Sequence, residues 1–322
     1  MRFAQSPEQR EFAAGVRDLL SRSDVASVVR SWSAGDAEPG RALWSKLGGT
    51  GLTAIGTPEK HGGFGADAVD LVIGFEELGR AAVPGPWVES VAVLPVLLAG
   101  TPDEDSLPAL AAGETIGALA APPHVPFAVD GAVADRLYLL AATTLVRGRA
   151  GAERESVDKS RRLVEVTSAA AVFGGVDAEL AFDVGALATA AQILGAGQAV
   201  LDRATEYAGQ RVQFGRPIGS FQAVKHQLAD ALVALELARP LVFGAALAVR
   251  DGSPTRARDV SAAKVACTDA AYLAARTSLQ VHGAIGYTAE YDLALWLTKV
   301  RALVSAWGTS AVHRARVRIA LR

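Results

Sequence analysis

Residues 211–222 carry side chains that could bind a phosphate group beside a flat heterocycle, and they read Arg-Val-Gln-Phe-Gly-Arg-Pro-Ile-Gly-Ser-Phe-Gln. The Arg211 guanidinium can hold a pyrophosphate through two parallel hydrogen bonds. The Phe214 ring offers a flat face, and the Gln222 amide can hydrogen-bond a base or a phosphate. The same residues also fit a simpler interpretation, in which a basic helix end is favoured by the helix dipole and Phe214 fills a core position.

Two further stretches could present backbone groups to a ligand. Residues 280–291 read Gln-Val-His-Gly-Ala-Ile-Gly-Tyr-Thr-Ala-Glu-Tyr, and their small residues leave backbone amides accessible. The glycine could equally be an ordinary helix end. In the second stretch, residues 307–310, a helix is predicted to begin at Thr309 or Ser310. A free helix N-terminus can bind an anion, although a plain Ser/Thr cap is the simpler interpretation.

The elements that must position these stretches are mostly helical. Ser6 followed by Pro7 predicts an N-cap and the first residue of a helix. Short β-like runs in the middle of the chain predict a small antiparallel β domain, with residues 147–162 as a solvated loop. Pro240 is expected to kink or split the helix that contains it. The predicted strands cover residues 116–120, 137–145, 163–167 and 181–184. The predicted helices include residues 41–47, 68–80, 186–210, 221–250, 259–282, 290–305 and 310–321.

This pattern predicts an α+β protein that is mostly α. We expect an N-terminal α-helical domain over residues 1–114, a shortened middle β domain over residues 115–183 and a C-terminal helical-bundle domain over residues 184–322. The chain has 32 Lys and Arg against 34 Asp and Glu, a net charge of −2, which argues against nucleic acid as a partner. A single cysteine, Cys267, excludes an intrachain disulfide and a thiolate metal cluster.

The N-terminus lacks the apolar segment of a signal peptide, and the apolar stretches look too short to span a membrane. We therefore expect a cytoplasmic protein without a membrane span. The motifs of common hydrolases and zinc enzymes, G-x-S-x-G, H-E-x-x-H and C-x-x-C, do not occur in the sequence.

The order and spacing of three motifs together resemble the acyl-CoA dehydrogenase family of flavoproteins. These motifs are R-x-Q-F-G-R-P-I-x-x-F-Q from Arg211, Q-x-x-G-x-x-G-Y-x-x-E-Y from Gln280 and G-T-S from Gly308. Residues 51–65 and 76–80 also resemble that family's first domain. The resemblance implies a helical domain, a middle β domain and a C-terminal four-helix domain, with FAD between the last two and reaching a neighbouring subunit.

The resemblance also implies roles for individual residues. Arg211 and Phe214 would contact the pyrophosphate and adenosine end of FAD across the subunit interface, and Thr309 would lie near the flavin on its own subunit's side. The other implied cofactor contacts are Gln222, Gln280, Val281, His282, Gly283 and Ala284. The implied reaction is the α,β-dehydrogenation of an acyl-CoA thioester, in which a glutamate removes the α-proton and hydride leaves Cβ for the flavin.

The sequence departs from the family at the positions that carry this chemistry. Trp307 stands where the usual glutamate base precedes Gly-Thr, and an indole cannot remove a proton from carbon. Gly185 stands near the alternative glutamate position. Residues 119–124, Leu-Ala-Ala-Pro-Pro-His, replace the family's T-E-P-x-x-G-S-D segment, and the W-x-x-N-G segment has no counterpart.

Three hypotheses follow from these departures. In the first, the chain is a subunit without a base of its own that completes the FAD site of a second acyl-CoA dehydrogenase-like subunit, resembling the degenerate chains of heteromeric actinobacterial steroid-catabolic enzymes. In the second, the chain is self-sufficient, and Glu236, Glu290 or Asp292 is the base. In the third, the chain is a scaffold without flavin. Trp307 would fill the space of the substrate chain in the first hypothesis.

Overall fold

The computed structural model describes residues 5–288 and 291–322, in which helices precede and follow a five-stranded sheet. The acyl-CoA dehydrogenase arrangement that the motifs imply is confirmed: a helical N-terminal part, a small β part and a helical C-terminal part. The exact domain boundaries at residues 114 and 183 stay a prediction.

The N-terminal part is built from helices, of which the first, second and fourth have side-chain N-caps. The predicted start is confirmed, because the Ser6 and Gln9 side chains each accept a hydrogen bond from the other's backbone N–H. Asp67 and Asp70 cap the fourth helix in the same way. The helices are α1 (Pro7–Ser21), α2 (Val25–Ser33), α3 (Glu38–Gly48), α4 (Ala68–Arg80), α5 (Leu94–Leu98) and α6 (Leu107–Ala111). A buried π-helical turn, Val88–Val93, runs directly into α5.

The middle sheet has the strand order β1-β3-β4-β5-β2. Its strands are β1 (Gly117–Ala120), β2 (Ala128–Val129), β3 (Arg136–Ala141), β4 (Thr144–Arg154) and β5 (Leu163–Phe173). The prediction of a purely antiparallel sheet was wrong, since β1 pairs with β3 in parallel. Between these two strands the chain forms β2 at the opposite edge of the sheet, and it returns beside β1 in the same direction.

Two sequence-based assignments in this region were wrong. Residues 147–162 are not one solvated loop, because β4 extends through Arg154 and pairs with β5. Most residues of β4 are exposed, so the strand lacks the apolar alternation that would reveal it. Residues 181–184 are helical rather than extended, because Asp177 caps a helix by accepting a hydrogen bond from the Leu180 N–H at 2.8 Å. Short apolar runs do not distinguish the two structures.

The C-terminal part contains three long helices with two shorter ones packed against them. They are α7 (Ala178–Gln210), α8 (Gln222–Arg250), α9 (Arg256–His282), α10 (Leu293–Leu303) and α11 (Ser310–Ala320). Pro240 was predicted to kink or split its helix, and α8 is not split, because it continues through Pro240 to Arg250. Pro240 is exposed, so the carbonyl that it leaves without a helical partner can bond to water.

By length and composition alone, the helices α7 and α8 could cross a membrane, a test that the core helix of a soluble protein also passes, so the expectation of no membrane span stays a prediction. The apolar window of α7 is entirely buried inside the protein, as expected of a core helix, whereas that of α8 is 39% buried. The exposed face of α8 is therefore unusually apolar.

Close backbone contact joins the N-terminal part to the bundle. Gly79 of α4 lies against the Gln192 carbonyl of α7, and Gly195 of α7 lies against the Glu76 carbonyl of α4, with no room for a side chain at either position. Asp183 then ties α7 to two other helices, because its carboxylate accepts hydrogen bonds from Arg256 and Arg316, both at 2.7 Å. These contacts fix α7 as the element against which the functional residues are positioned.

Candidate functional site

The first predicted binding stretch forms a short exposed hairpin between α7 and α8. Its strands β6 (Val212–Gln213) and β7 (Arg216–Pro217) pair antiparallel, and Phe214 and Gly215 at the tip have φ angles of 53° and 76°. Phe214 is 93% exposed, so the interpretation of this ring as a core residue was wrong. An apolar ring held in a left-handed turn and pointed at solvent indicates a contact with another molecule.

Arg211 and Gln222 flank this hairpin. Arg211 ends α7, is exposed and receives a backbone hydrogen bond from Ile218 at 2.8 Å, which closes the base of the hairpin. Gln222 is the first residue of α8 and is also exposed. The structure therefore brings these two side chains and Phe214 onto one outward-facing feature, which we call the outer hairpin (residues 211–222).

The second stretch lies at the end of α9. Gln280, Gly283 and Ala284 line a groove of about 630 Å³ together with Gln227 of α8. Gly283 ends α9 with φ 65°, and a side chain at this position would point into open space. The accessible backbone that the small residues predicted is thus present.

His282 is turned away from that groove and into the protein. Its ring stacks on Tyr207 with the ring centres 4.3 Å apart, and its Nδ1 lies 2.8 Å from the Ser278 carbonyl. Burial lowers the pKa of His282, which disfavours the charged form that would suit the helix dipole. The neighbouring Val281 is half-buried.

Thr309 lies in a different place from the other predicted residues. It caps α11 by accepting a hydrogen bond from the Val312 N–H, as the sequence predicted. It lines a cleft of about 640 Å³ between the sheet and the C-terminal helices, which we call the inner cleft. The predicted residues therefore fall into an outer group and an inner one.

The inner cleft has apolar walls and a few charged groups. Its apolar residues include Val125, Phe127, Val129, Leu163, Ala306 and Trp307. Its ionisable residues are Glu89, His124, Glu155, Arg161 and Arg301.

Trp307 occupies one side of this cleft and is held on three sides. Its indole Nε1 donates a hydrogen bond to the Glu89 carboxylate at 2.9 Å. Its carbonyl accepts a hydrogen bond from Nε2 of His313 at 2.9 Å, and burial lowers the pKa of His313 to about 4. A side-chain carbon at Gly185 would overlap three atoms of the indole.

Trp307, at the position that the resemblance assigns to the usual glutamate, is therefore in contact with Gly185, which stands near the assigned alternative position. Gly185 provides the space on α7, and the Trp307 indole fills it. Trp307 also holds a positive φ of 53°, a strained conformation for an aromatic residue. Neither an indole nor a glycine can act as a base.

Sequence analysis missed Glu89 and Arg161. Glu89 lies in the π-helical turn and is 2% exposed, and burial raises its pKa against the opposing effects of the Arg161 charge and the Trp307 hydrogen bond. The available signal was a single carboxylate within an otherwise apolar run, Trp-Val-Glu-Ser-Val-Ala-Val-Leu at residues 87–94. Arg161 belongs to a buried segment anchored by an ion pair between Asp158 and Lys299 at 2.9 Å.

Comparisons with known proteins agree with this geometry. The family model for the acyl-CoA dehydrogenase N-terminal domain matches residues 6–114, and that for the C-terminal domain matches residues 174–321. The acyl-CoA dehydrogenase IpdE2 of Mycobacterium tuberculosis is 36% identical over 298 residues, which is 91% of each chain.

Two solved structures show the same fold. A chain of the ChsE4-ChsE5 complex from Mycobacterium tuberculosis has a TM-score of 0.87 at 23% identity and covers 100% of this chain and 99% of its own. A chain of the Tcur3481-Tcur3483 steroid acyl-CoA dehydrogenase has a TM-score of 0.85 at 23% identity, with 98% and 97% covered.

The contact between Gly185 and Trp307 gives a stability prediction. We expect Gly185→Ala to lower the free energy of unfolding by about 1–3 kcal/mol, because the added carbon must displace the indole. In the double variant Gly185→Ala/Trp307→Ala the loss should be smaller than the sum of the two single losses. Urea titration of the purified protein measures these values.

Gly244→Ala on α8 is the matched control, because a side chain there has no atom within 4 Å. This control should be neutral or more stable by up to about 1 kcal/mol, owing to helix propensity. Equal stabilities of Gly185→Ala and Gly244→Ala would contradict the packing of Trp307 described above.

The family models and the full-length relative establish the family directly. The chain belongs to the acyl-CoA dehydrogenase family, whose members use FAD and act on acyl-CoA thioesters.

Proposed function

We propose that this chain is the subunit of a heteromeric acyl-CoA dehydrogenase that completes the FAD site of a partner subunit and contributes no base of its own. This proposal rests on the separation of the predicted site residues into an outer group and an inner one. The residues of the outer hairpin are presented outward, whereas Trp307 occupies the usual base position inside.

The inner cleft fits a flavin ring poorly. Trp307 narrows it, and residues 119–124 supply Leu, Ala, Pro and His where the family has hydroxyl and carboxylate groups that help to hold the flavin ring. Thr309 lines the cleft, but the other residues that the resemblance led us to expect around a flavin ring are not beside it. The residues of this cleft therefore support neither the binding of a flavin ring nor removal of the α-proton at the usual positions.

The outer features fit the other end of the cofactor. Arg211 can hold a pyrophosphate and Phe214 can stack on an adenine. Gln222, Gln280 and the backbone of residues 281–284 would add hydrogen bonds. When bound to the partner, FAD supplies the acceptor for the hydride that leaves the acyl chain. This chain's own part is to bind and orient the cofactor's nucleotide end.

An exposed apolar face gives the partner a place to dock. Exposed side chains on α8 include Leu232, Val233, Leu237 and Leu241, and those on α9 include Tyr272 and Leu273. Apolar patches of this kind on a soluble protein indicate a protein interface. This face lies on the helix that begins at Gln222, the last residue of the outer hairpin. A second acyl-CoA dehydrogenase chain is the proposed occupant, in line with the similarity to chains of the ChsE4-ChsE5 and Tcur3481-Tcur3483 enzymes.

The proposed substrate is an acyl-CoA with a bulky, steroid-derived acyl group, handled in the cytoplasm. Its support is the similarity to a steroid acyl-CoA dehydrogenase chain. If only half of the subunits in a complex carry an active site, each active site has more room for a large acyl group.

A self-sufficient enzyme is the second candidate, and the structure changes which residue would be its base. Glu236 is exposed and pairs with Arg239, and Asp292 is exposed and pairs with Arg30. Neither lines the inner cleft, and Glu290 lies outside the described residues. The specific observation in favour of this candidate is Glu89, a buried carboxyl in contact with Trp307.

The Glu89→Gln variant separates the two candidates. The half-site proposal predicts that kcat of the complex stays within about twofold, whereas loss of a catalytic base lowers it by about 10²–10⁴-fold. Steady-state kinetics of the purified complex, with FAD content measured in parallel, give the answer. A loss of that size with normal FAD content would favour the self-sufficient enzyme.

Variants of the outer hairpin test the main proposal. In the complex with the partner, Arg211→Ala and Phe214→Ala should each weaken FAD retention by about tenfold to a hundredfold, because each removes a contact to the cofactor. Flavin absorbance after gel filtration measures this loss. Arg318→Ala and Ile319→Ala on the exposed face of α11 are the matched controls.

Full FAD retention in both hairpin variants would contradict the proposal. A complex that assembles but never contains FAD would instead favour a scaffold without flavin.

A further inference from the structure

The Arg161 side chain is mostly buried at the inner cleft, and its guanidinium has no hydrogen-bond partner in the part of the chain that the structure describes. The residue is 9% exposed and lines the inner cleft. Within the described residues 5–288 and 291–322, its side chain forms neither an ion pair nor a hydrogen bond. A guanidinium that lines a cleft without a direct partner offers a fork of five N–H donors, which is suited to a bidentate anion.

Three carboxyl groups near Arg161 each have another partner, and a fourth carboxylate of the cleft, Glu155, is exposed. Asp158 pairs with Lys299 at 2.9 Å, and Asp130 accepts the Arg162 backbone N–H at 3.2 Å. Glu89 accepts from the Trp307 indole. Burial raises the pKa of Glu89, which weakens its repulsion of a second anion in the cleft. The neighbouring carboxyl groups thus place negative charge near Arg161, but the N–H donors of its guanidinium stay available to a ligand.

The other residues of the cleft indicate what kind of group the anion would be attached to. The walls beside Arg161 are the hydrocarbon surfaces of Val125, Phe127, Val129 and Leu163. The volume of about 640 Å³ suits a compact molecule, and such pockets usually combine apolar walls with a few polar anchors. An inorganic anion would leave these walls unused, whereas a carboxylic acid with a hydrocarbon body would use both.

We propose that the inner cleft of this chain binds a carboxylate with a compact hydrocarbon body, and that Arg161 holds the carboxylate through two parallel hydrogen bonds. The site is independent of FAD and of the partner's active site. It gives the cleft that lacks a dehydrogenase base a ligand-binding role of its own.

Calorimetry with cyclohexylacetate tests this site on the purified chain and on its complex. We expect saturable binding to the wild type, and binding to Arg161→Gln that is weaker by about tenfold to a hundredfold. Arg161→Lys should also bind more weakly, because an ammonium cannot form the parallel pair. Arg301→Gln, which removes an exposed cation of the same cleft, is the matched control and should change affinity by less than about threefold.

Two further probes identify what the site recognises. Cyclohexylethanol, which has the same body without a carboxylate, should not bind, and inorganic phosphate should bind much more weakly than cyclohexylacetate. Equal binding of phosphate would overturn the assignment of an apolar carboxylate. Absence of saturable binding to the wild type, or wild-type affinity in Arg161→Gln, would overturn the site itself.

If the Arg161 variants fail to fold, tryptophan fluorescence provides a second test that does not need them. Cyclohexylacetate should change the tryptophan emission of the wild type, and this change should be lost in Trp307→Phe, because Trp307 lines the same cleft. An emission change that persists in Trp307→Phe would place the ligand elsewhere. None of these measurements involves FAD, so their failure leaves the proposed subunit role untouched.

Discussion

The indole of Trp307 lies in the space that Gly185 leaves on α7, and the chemistry available to this chain depends on that contact. By the resemblance, Trp307 stands at the usual position of the family's base, and Gly185 stands near the alternative position. A glutamate restored at position 307 would leave this space empty, and a longer side chain restored at position 185 would overlap the indole. The two departures from the family therefore support each other.

The same helix that carries Gly185 also presents the residues that the chain offers outward. The helix α7 is fixed in the bundle by Asp183 and by the close contact of its Gly195 with α4. Its far end leads into the outer hairpin, where Phe214 is exposed in a left-handed turn. One helix thus connects the inner cleft, where Trp307 stands, to the outer hairpin, which we propose binds the nucleotide end of FAD. This arrangement is expected of a subunit that serves a neighbour.

Much of this fold could be predicted from local sequence signals. The capping pattern at Ser6, the Ala-rich helices and the three motifs from Arg211 onward indicate both the helical parts and the family. Local patterns gave wrong predictions where the secondary structure depends on contacts with the rest of the protein or on exposure to solvent. The exposed strand β4 has no apolar alternation, the start of α7 resembles a short strand, and Pro240 is tolerated because it faces solvent. The sequence revealed only part of the site. The motifs showed that Trp307 stands at the usual position of the glutamate base. No local pattern predicted that its indole would bond to Glu89, which is 218 residues away in sequence.

FAD content per chain tests the account most directly. The chain is purified alone and then together with the dehydrogenase-like subunit encoded by a neighbouring gene, and bound flavin is quantified against protein in each sample. The account predicts flavin in the mixed complex alone, at about one FAD for every two chains. One FAD per chain in the protein purified alone would contradict it, because an intact flavin site would then exist beside Trp307.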